Sequence, residues 1–302
     1  MGCTSCPRHC PADRVTRKGF CGTTGLNIAR VGLHLWEEPC ISGHKGSGTI
    51  FFTGCNLRCR FCQNETISRG ACGRDISTDT LGRLMLYLQD LGAENINMVS
   101  PTHFTEPIAE TLQRYKPQLH IPVVYNSNGY ESVEHLRRLE GLVDVYLPDF
   151  KYADDDLART WSEADRYFET AAACITEMFR QVPHNIFRHG LLKKGLLVRH
   201  LVLPGHLENS KRVIDFLAQL SPDLYLSLMA QYFPTPAVRN DACLGRRLTQ
   251  AEYDEVCDYL FSKNMENGYL QELESNSEAY VPDFGLEALD RVLAQLSSKP
   301  LS

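Results

Sequence analysis

The sequence predicts an α/β fold: an incomplete parallel (β/α)6-type barrel, or partial TIM barrel, preceded by a small Cys-rich N-terminal segment. Three observations carry that expectation. After residue 48, short apolar runs alternate with amphipathic helical patterns. Several of the runs are apolar almost throughout, as parallel strands covered on both faces are. The length, 302 residues, suits one large α/β domain. Alternating strands and helices imply right-handed crossovers, and six or seven such units fall short of a closed eightfold ring. A doubly wound open sheet is the alternative on the same pattern.

The strand candidates, in order, are Thr49–Thr53, Asn95–Ser100, Pro122–Tyr125, Val143–Leu147, Leu196–Leu203 and Leu224–Met229, with Tyr269–Leu273 as a seventh. Between them, Leu81, Leu84, Leu88 and Leu91 form one helical stripe, with Ser77 or Thr78 as its N-cap. Tyr167, Ala171, Cys174, Ile175, Met178 and Phe179 line a second helix, and Val213, Phe216, Leu217 and Leu220 a third. Thr249-Gln-Ala-Glu252 reads as a capping box, opening a helix whose Tyr253, Val256, Cys257, Leu260 and Phe261 share a face. Three segments follow: residues 1–47, Cys- and Gly-rich and unable to build a core alone; residues 48–296, the barrel; and the tail 297–302. Gln231–Arg247, Pro-rich and aperiodic, reads as irregular.

A formal net charge of -6 with scattered Lys and Arg offers no basic field for nucleic acid. The N-terminus, Met1-Gly2-Cys3-Thr4-Ser5-Cys6-Pro7, lacks an apolar signal segment. No stretch approaches the roughly 20 apolar residues of a membrane span. A cytoplasmic setting is expected, and there twelve cysteines point to metal rather than disulfides.

The decisive segment is Gly48-Thr-Ile-Phe-Phe-Thr-Gly-Cys55-Asn-Leu-Arg-Cys59-Arg-Phe-Cys62. It reads as a strand, a Gly turn and three cysteines at C-x3-C-x2-C. Three thiolates on one loop can ligate three irons of a cubane cluster and leave the fourth open to an exogenous ligand. A zinc site of these three is the competing reading. Zinc spacings, however, usually come as C-x2-C pairs, and the loop follows the first strand, at the end of a barrel where active sites gather.

With an aromatic residue, Phe61, before its last Cys, the motif resembles that of the radical S-adenosylmethionine (SAM) superfamily. The resemblance implies a [4Fe–4S] cluster on Cys55, Cys59 and Cys62, with SAM chelating the open iron. Reductive cleavage would yield a 5′-deoxyadenosyl radical that abstracts hydrogen. Further landmarks resemble the glycyl-radical-enzyme activating branch, typified by pyruvate formate-lyase activating enzyme: Val124-Tyr-Asn-Ser-Asn-Gly129, Pro148-Asp149-Phe150-Lys151, and Leu197-Val-Arg199-His200-Leu-Val-Leu-Pro204-Gly205. That match implies that Asn128, Asp149, Lys151 and Arg199 contact SAM or the substrate. Where the branch carries Gly-Gly-Glu, this chain has Ser100-Pro101-Thr102-His103, so Thr102 or His103 would take the contact to the SAM amino group. An Arg199–Asp149 pair bracing adjacent strands is the structural alternative for Arg199.

Cys3-x2-Cys6-x3-Cys10-x10-Cys21 supplies four soft ligands, suited to a closed zinc site or to a second iron–sulfur cluster. Cys40 and Cys72 fit neither set. The function expected from these residues is hydrogen abstraction by a SAM-derived radical, installing a glycyl radical on a protein partner, with a flavodoxin or ferredoxin as reductant. The alternatives are radical modification of a small molecule or peptide, and a non-catalytic iron–sulfur electron-transfer or scaffold protein. No individual catalytic side chain can be assigned from the sequence.

Overall fold

The computed structural model describes residues 2–70, 72–273 and 283–298. In chain order, β1 (Asn27–His34) and the short α1 (Pro39–Ser42) lead to β2 (Ser47–Phe52), α2 (Glu65–Ser68) and β3 (Arg74–Asp75). Next come α3 (Thr78–Asp90), β4 (Ile96–Val99), α4 (Thr105–Tyr115), β5 (Val123–Ser127), α5 (Val133–Arg137) and β6 (Val145–Pro148). α6 (Asp155–Ser162) and α7 (Tyr167–Gln181) precede a hairpin of β7 (Ile186–Arg188) and β8 (Leu191–Leu201). α8 (Leu207–Leu220), β9 (Tyr225–Met229), α9 (Gln250–Ser262), β10 (Gly268–Leu270) and α10 (Leu286–Ser298) complete the order.

The sheet runs β10-β9-β8-β6-β5-β4-β2-β1-β3. From β2 to β10 every pairing on this path is parallel, whereas β1 pairs antiparallel with β2 and β3 antiparallel with β1. Among the described residues β10 and β3 end the order unpaired with each other, so the barrel stays open as expected. All seven strand candidates form.

Strand alternation sorts the core into two layers. Val123, Tyr125, Tyr146, Leu196 and Val198 pack outward beneath Leu84, Ile108 and Val213 of the helices. Val124, Val145, Leu147 and Leu197 point into the lumen, where they meet Cys40 and Ile41 of α1. Helix caps form where the sequence places them. Ser77 accepts from the Thr80 N–H, and Thr249 and Glu252 complete the reciprocal capping box. Phe261 departs from its expected face and is 51 % exposed. At 100° per residue it lies 80° round from Tyr253, past the edge of the buried stripe.

The boundary at residue 47 is corrected. Asn27–His34 is a full strand of the sheet, and its Ile28, Ala29 and Val31 are core residues. Arg30 and Gly32 interrupt its apolar pattern, and a register shift against β2 between Ile28 and Arg30 lets Ile28 and Val31 enter one core cluster while Ala29 enters another. Because β1 runs against β2, it carries the chain to the N-terminal end of the parallel strands. From there α1 enters the lumen and closes its floor. Of the tail 297–302, Ser297 and Ser298 close α10 and the rest lies outside the described residues.

Candidate active site at the mouth of the barrel

The three-cysteine loop leaves β2 through Thr53 and Gly54. Gly54 has φ +85°, and a Cβ there would lie 2.3 Å from the Cys21 carbonyl oxygen, so only glycine lets the N-terminal segment approach this closely. The loop is gripped from several sides. Arg58 and Arg60 donate backbone N–H groups to the carbonyls of Ser162 and Trp161 at the end of α6, at 3.0 and 2.8 Å. The Thr235 hydroxyl donates to the Arg60 carbonyl at 2.6 Å. Phe61 meets the Tyr232 ring edge-on, with 5.8 Å between centroids. The aromatic of the motif is thus an anchor that holds its loop against the Pro-rich segment.

The sulfurs of this loop are surrounded by donors. The Leu57 N–H and the Asn128 amide both point at Cys55 Sγ, at 3.4 and 3.3 Å, and the Ser162 hydroxyl donates to Cys59 Sγ at 3.0 Å. Burial, and then the neighbouring thiols Cys59 and Cys55, push Cys62 up to about 12; burial and Cys59 also raise Cys55. Three soft ligands crowded on one loop, with Cys55 and Cys62 disfavoured as bare anions, fit an iron cluster that supplies compensating positive charge.

At the neighbouring strand ends lies a charged network. Asp149, just past β6, accepts from Lys151 Nζ at 2.6 Å and from Arg199 Nε at 2.8 Å. Burial alone would raise the Asp149 pKa, but Arg199 and Lys151 prevail and hold it below the ordinary value. Arg199 also donates to Asn126 Oδ1 at 2.6 Å and to Glu37 Oε2 at 3.2 Å, with Glu38 Oε2 4.0 Å away. The Arg199–Asp149 pair thus braces β6 and β8, the structural alternative entertained from sequence. Burial works against the Lys151 cation, yet Asp149 and then the Cys59 sulfur outweigh it and raise its pKa. Lys151 therefore stands between the network and the cysteine loop.

Asn128, Asp149, Lys151 and Arg199 are brought to the mouth. Thr102 and His103 are not part of their network. The Thr102 hydroxyl donates to the buried Glu131 at 2.6 Å, in a group with Tyr125 and Thr105 on the helix side of the sheet. His103 Nε2–H donates to the Thr53 carbonyl at 2.8 Å. Burial, then Arg14, lowers its pKa to about 3. The neutral ring thus props the base of the cysteine loop. Sequence reading missed Glu37 and Glu38. Their one signal is two adjacent acids ahead of Pro39-Cys40, and it has meaning only once β1 and α1 carry them under Arg199.

The N-terminal cysteines pack directly on the loop. The Phe20 ring lies between the guanidinium groups of Arg8, 3.9 Å from its centroid, and Arg58, at 4.2 Å. Arg8 donates to the Asn56 carbonyl at 2.8 Å, and Arg58 donates to the Cys55 carbonyl at 2.8 Å and to that of Phe20. Cys10 and Cys21 both lie beside Gly19, and the Phe20 N–H points at Cys10 Sγ at 3.3 Å. Burial and then Cys10, Cys3 and Cys21 push Cys6 up to about 12, so the four thiols are neighbours, and all are free. Among the described residues, no three His, Cys, Asp or Glu side chains are placed to hold a single ion. Cys40 is buried in the floor of the lumen, and Cys72 Sγ lies 4.0 Å from the Phe284 carbonyl.

The open parallel barrel and its three-cysteine loop define a radical SAM domain, and the chain belongs to the Radical SAM superfamily, whose model matches residues 49–217. An uncharacterized protein of Methanocaldococcus jannaschii, MJ0674, is 31 % identical over 276 residues, covering 87 % of this chain and 75 % of its own. Among solved structures, Streptococcus suis SuiB bound to the precursor peptide SuiA is similar in fold, with a TM-score of 0.51 and 11 % identity over 72 % of this chain and 46 % of that one. A domain of pyruvate-formate lyase-activating enzyme from Bacteroides vulgatus also matches, with a TM-score of 0.42 and 14 % identity over 56 % of this chain and 92 % of that one. No helix among the described residues is long and apolar enough to cross a membrane.

Proposed function

We propose that this chain abstracts hydrogen from an organic substrate seated at the mouth of the barrel, using a [4Fe–4S] cluster on Cys55, Cys59 and Cys62 together with SAM. The observation that carries the reading is the meeting of the three-thiol loop with Asn128, Lys151, Asp149 and Arg199 at successive strand ends. The cluster and SAM would supply one-electron reduction and the abstracting radical. The chain's own part is positioning. Asn128 fixes the loop through Cys55 and Asn56, Lys151 offers a cation beside the cysteines, and Arg199 locks Asp149 in place.

Anaerobic reconstitution tests this. The wild-type protein is expected to hold a cluster and form 5′-deoxyadenosine from SAM when reduced, with a flavodoxin or ferredoxin as the biological reductant. Normal iron and sulfide content with normal SAM cleavage in a Cys55→Ala/Cys59→Ala/Cys62→Ala protein would overturn it.

Activation of a glycyl radical enzyme is the finer reading, favoured by the Asp149–Lys151 pair within Pro148-Asp149-Phe150-Lys151. Deuterium transfer into 5′-deoxyadenosine from a glycine-labelled protein partner would support it. Transfer only from small molecules or peptides would replace it. For Cys3, Cys6, Cys10 and Cys21 the reading is a metal-bearing knot that stiffens the adjacent loop, with iron and zinc stoichiometry deciding between cluster and zinc.

A further inference from the structure

Two supports hold the base and the first cysteine of the three-thiol loop, and they come from different strand ends. The first follows β4. The turn Thr102–Phe104 places His103 so that its ring donates to the Thr53 carbonyl at 2.8 Å. The second follows β5. There the Asn128 amide points at Cys55 Sγ at 3.3 Å and donates to Asn56 Oδ1 at 2.7 Å, while the Asn56 amide donates back to the Tyr130 carbonyl at 2.6 Å. Both supports meet at one side chain. Glu131 closes the second turn, its N–H donating to the Gly129 carbonyl at 3.1 Å, and its Oε1 accepts from the Thr102 hydroxyl at 2.6 Å. Its Oε2 accepts from the Tyr125 hydroxyl at 3.1 Å, and the Cys174 thiol of α7 points at the Glu131 carbonyl at 3.4 Å.

Glu131 is 2 % exposed, and a carboxyl taken that far from water depends on the groups it bonds. Those groups are hydroxyls. Burial lifts its pKa to about 7, and Thr102, Ser127 and Tyr125 act against the rise. The network is complete in either protonation state. With Glu131 ionised, Tyr125 donates to it. With Glu131 protonated, the carboxyl can donate to Tyr125, and Tyr125 on to Thr105, whose own hydroxyl is spent on the Thr102 carbonyl. A fully bonded buried network fixes the spacing of the elements that contribute to it. We infer that Glu131 is a positioning residue for the cluster: by tying Thr102 to the Asn128–Tyr130 turn, it sets the two supports of the cysteine loop at one separation. The inference deepens the reading above and rests on its cluster, but the mobility of the loop can be read without metal or turnover, so the two can fail separately.

Two measurements on the full chain test this: amide hydrogen exchange, as isolated and after anaerobic reconstitution, and the rate at which reconstituted protein loses its cluster to excess EDTA. In Glu131→Leu, exchange over residues 53–62 is expected to quicken about tenfold and cluster loss to quicken by a similar factor. Glu131→Gln should restore both, because an amide can accept from Thr102 and donate to Tyr125 as the protonated carboxyl does. Thr102→Val, which removes one of the two ties and leaves the carboxyl in place, should quicken both to a smaller degree, and it carries the test should Glu131→Leu fail to fold. Tyr253→Phe deletes a buried hydroxyl that donates to the Leu228 carbonyl at 2.7 Å, away from the loop. It should lower the melting temperature and move neither rate. Unchanged rates in Glu131→Leu or Thr102→Val would overturn the inference. So would faster exchange spread evenly over the sheet, which would make Glu131 a general brace of the core, or no recovery in Glu131→Gln. A wild-type chain that takes up no cluster would defeat the reading above, while the exchange over residues 53–62 would still decide this one.

Discussion

At the residue scale, Arg199 shows how a motif position can be legible while its job is not. Resemblance marked it for SAM or substrate, and a charge in an apolar strand demanded an acceptor. Its acceptors prove to be Asp149, Asn126 and Glu37. Arg199→Ala would strand buried carboxylates, so the expected cost is about 3–5 kcal/mol, read as a lower urea midpoint. Unchanged stability would return Arg199 to a purely ligand-binding role. The adjacent His200 points the other way, toward the helices, and is fully buried. Its Nδ1–H donates to the Phe150 carbonyl at 2.6 Å, and its Nε2 accepts from Ser210 at 2.8 Å. Burial depresses its pKa from 6.5 to about 4. The unfolded chain then binds the proton more readily, so the stability from the neutral ring is complete above 6.5 and is lost as pH falls toward 4. The full effect is on the order of 3 kcal/mol. Urea midpoints measured between pH 7 and 4.5 should fall more steeply for the wild type than for His200→Gln.

At the scale of elements, periodicity and caps located the helices because both are local. Thr249 binds Glu252 within one turn, and Thr249→Ala should cost about 1 kcal/mol, seen as a small drop in melting temperature. The cysteine loop was equally legible as a ligand set, but its support was not. Ser162, Trp161, Tyr232 and Thr235 lie far along the chain from the residues they hold. Gly54 joins the two levels. Its positive φ, and a Cys21 carbonyl oxygen too close to leave room for a Cβ, predict that Gly54→Ala separates the N-terminal segment from the loop. Reconstituted Gly54→Ala protein should lose its cluster faster than the wild type while keeping its helix and strand content. Equal retention would show that this contact is dispensable.

At the scale of the whole molecule, the N-terminal segment serves in three places: residues 2–24 on the cysteine loop, β1 at the sheet edge, and α1 in the floor of the lumen. Removing residues 2–24 takes away the Arg8–Phe20–Arg58 stack but leaves β1 and α1. The truncated protein should therefore fold, with faster amide hydrogen exchange confined to residues 54–70; global unfolding would mean that the segment is part of the core. The sequence by itself determined the parallel α/β architecture, all seven parallel strands and the three-thiol loop, because these rest on alternation, helical period and spacing along a short stretch. Tertiary structure alone decided that β1 belongs to the sheet, that Thr102 and His103 turn away to Glu131 and Thr53, and that Glu37 and Glu38 lie beneath Arg199. Each of these depends on which distant residues share a face or a buried charge, and a buried carboxylate acquires its meaning only from the cation that folding places beside it.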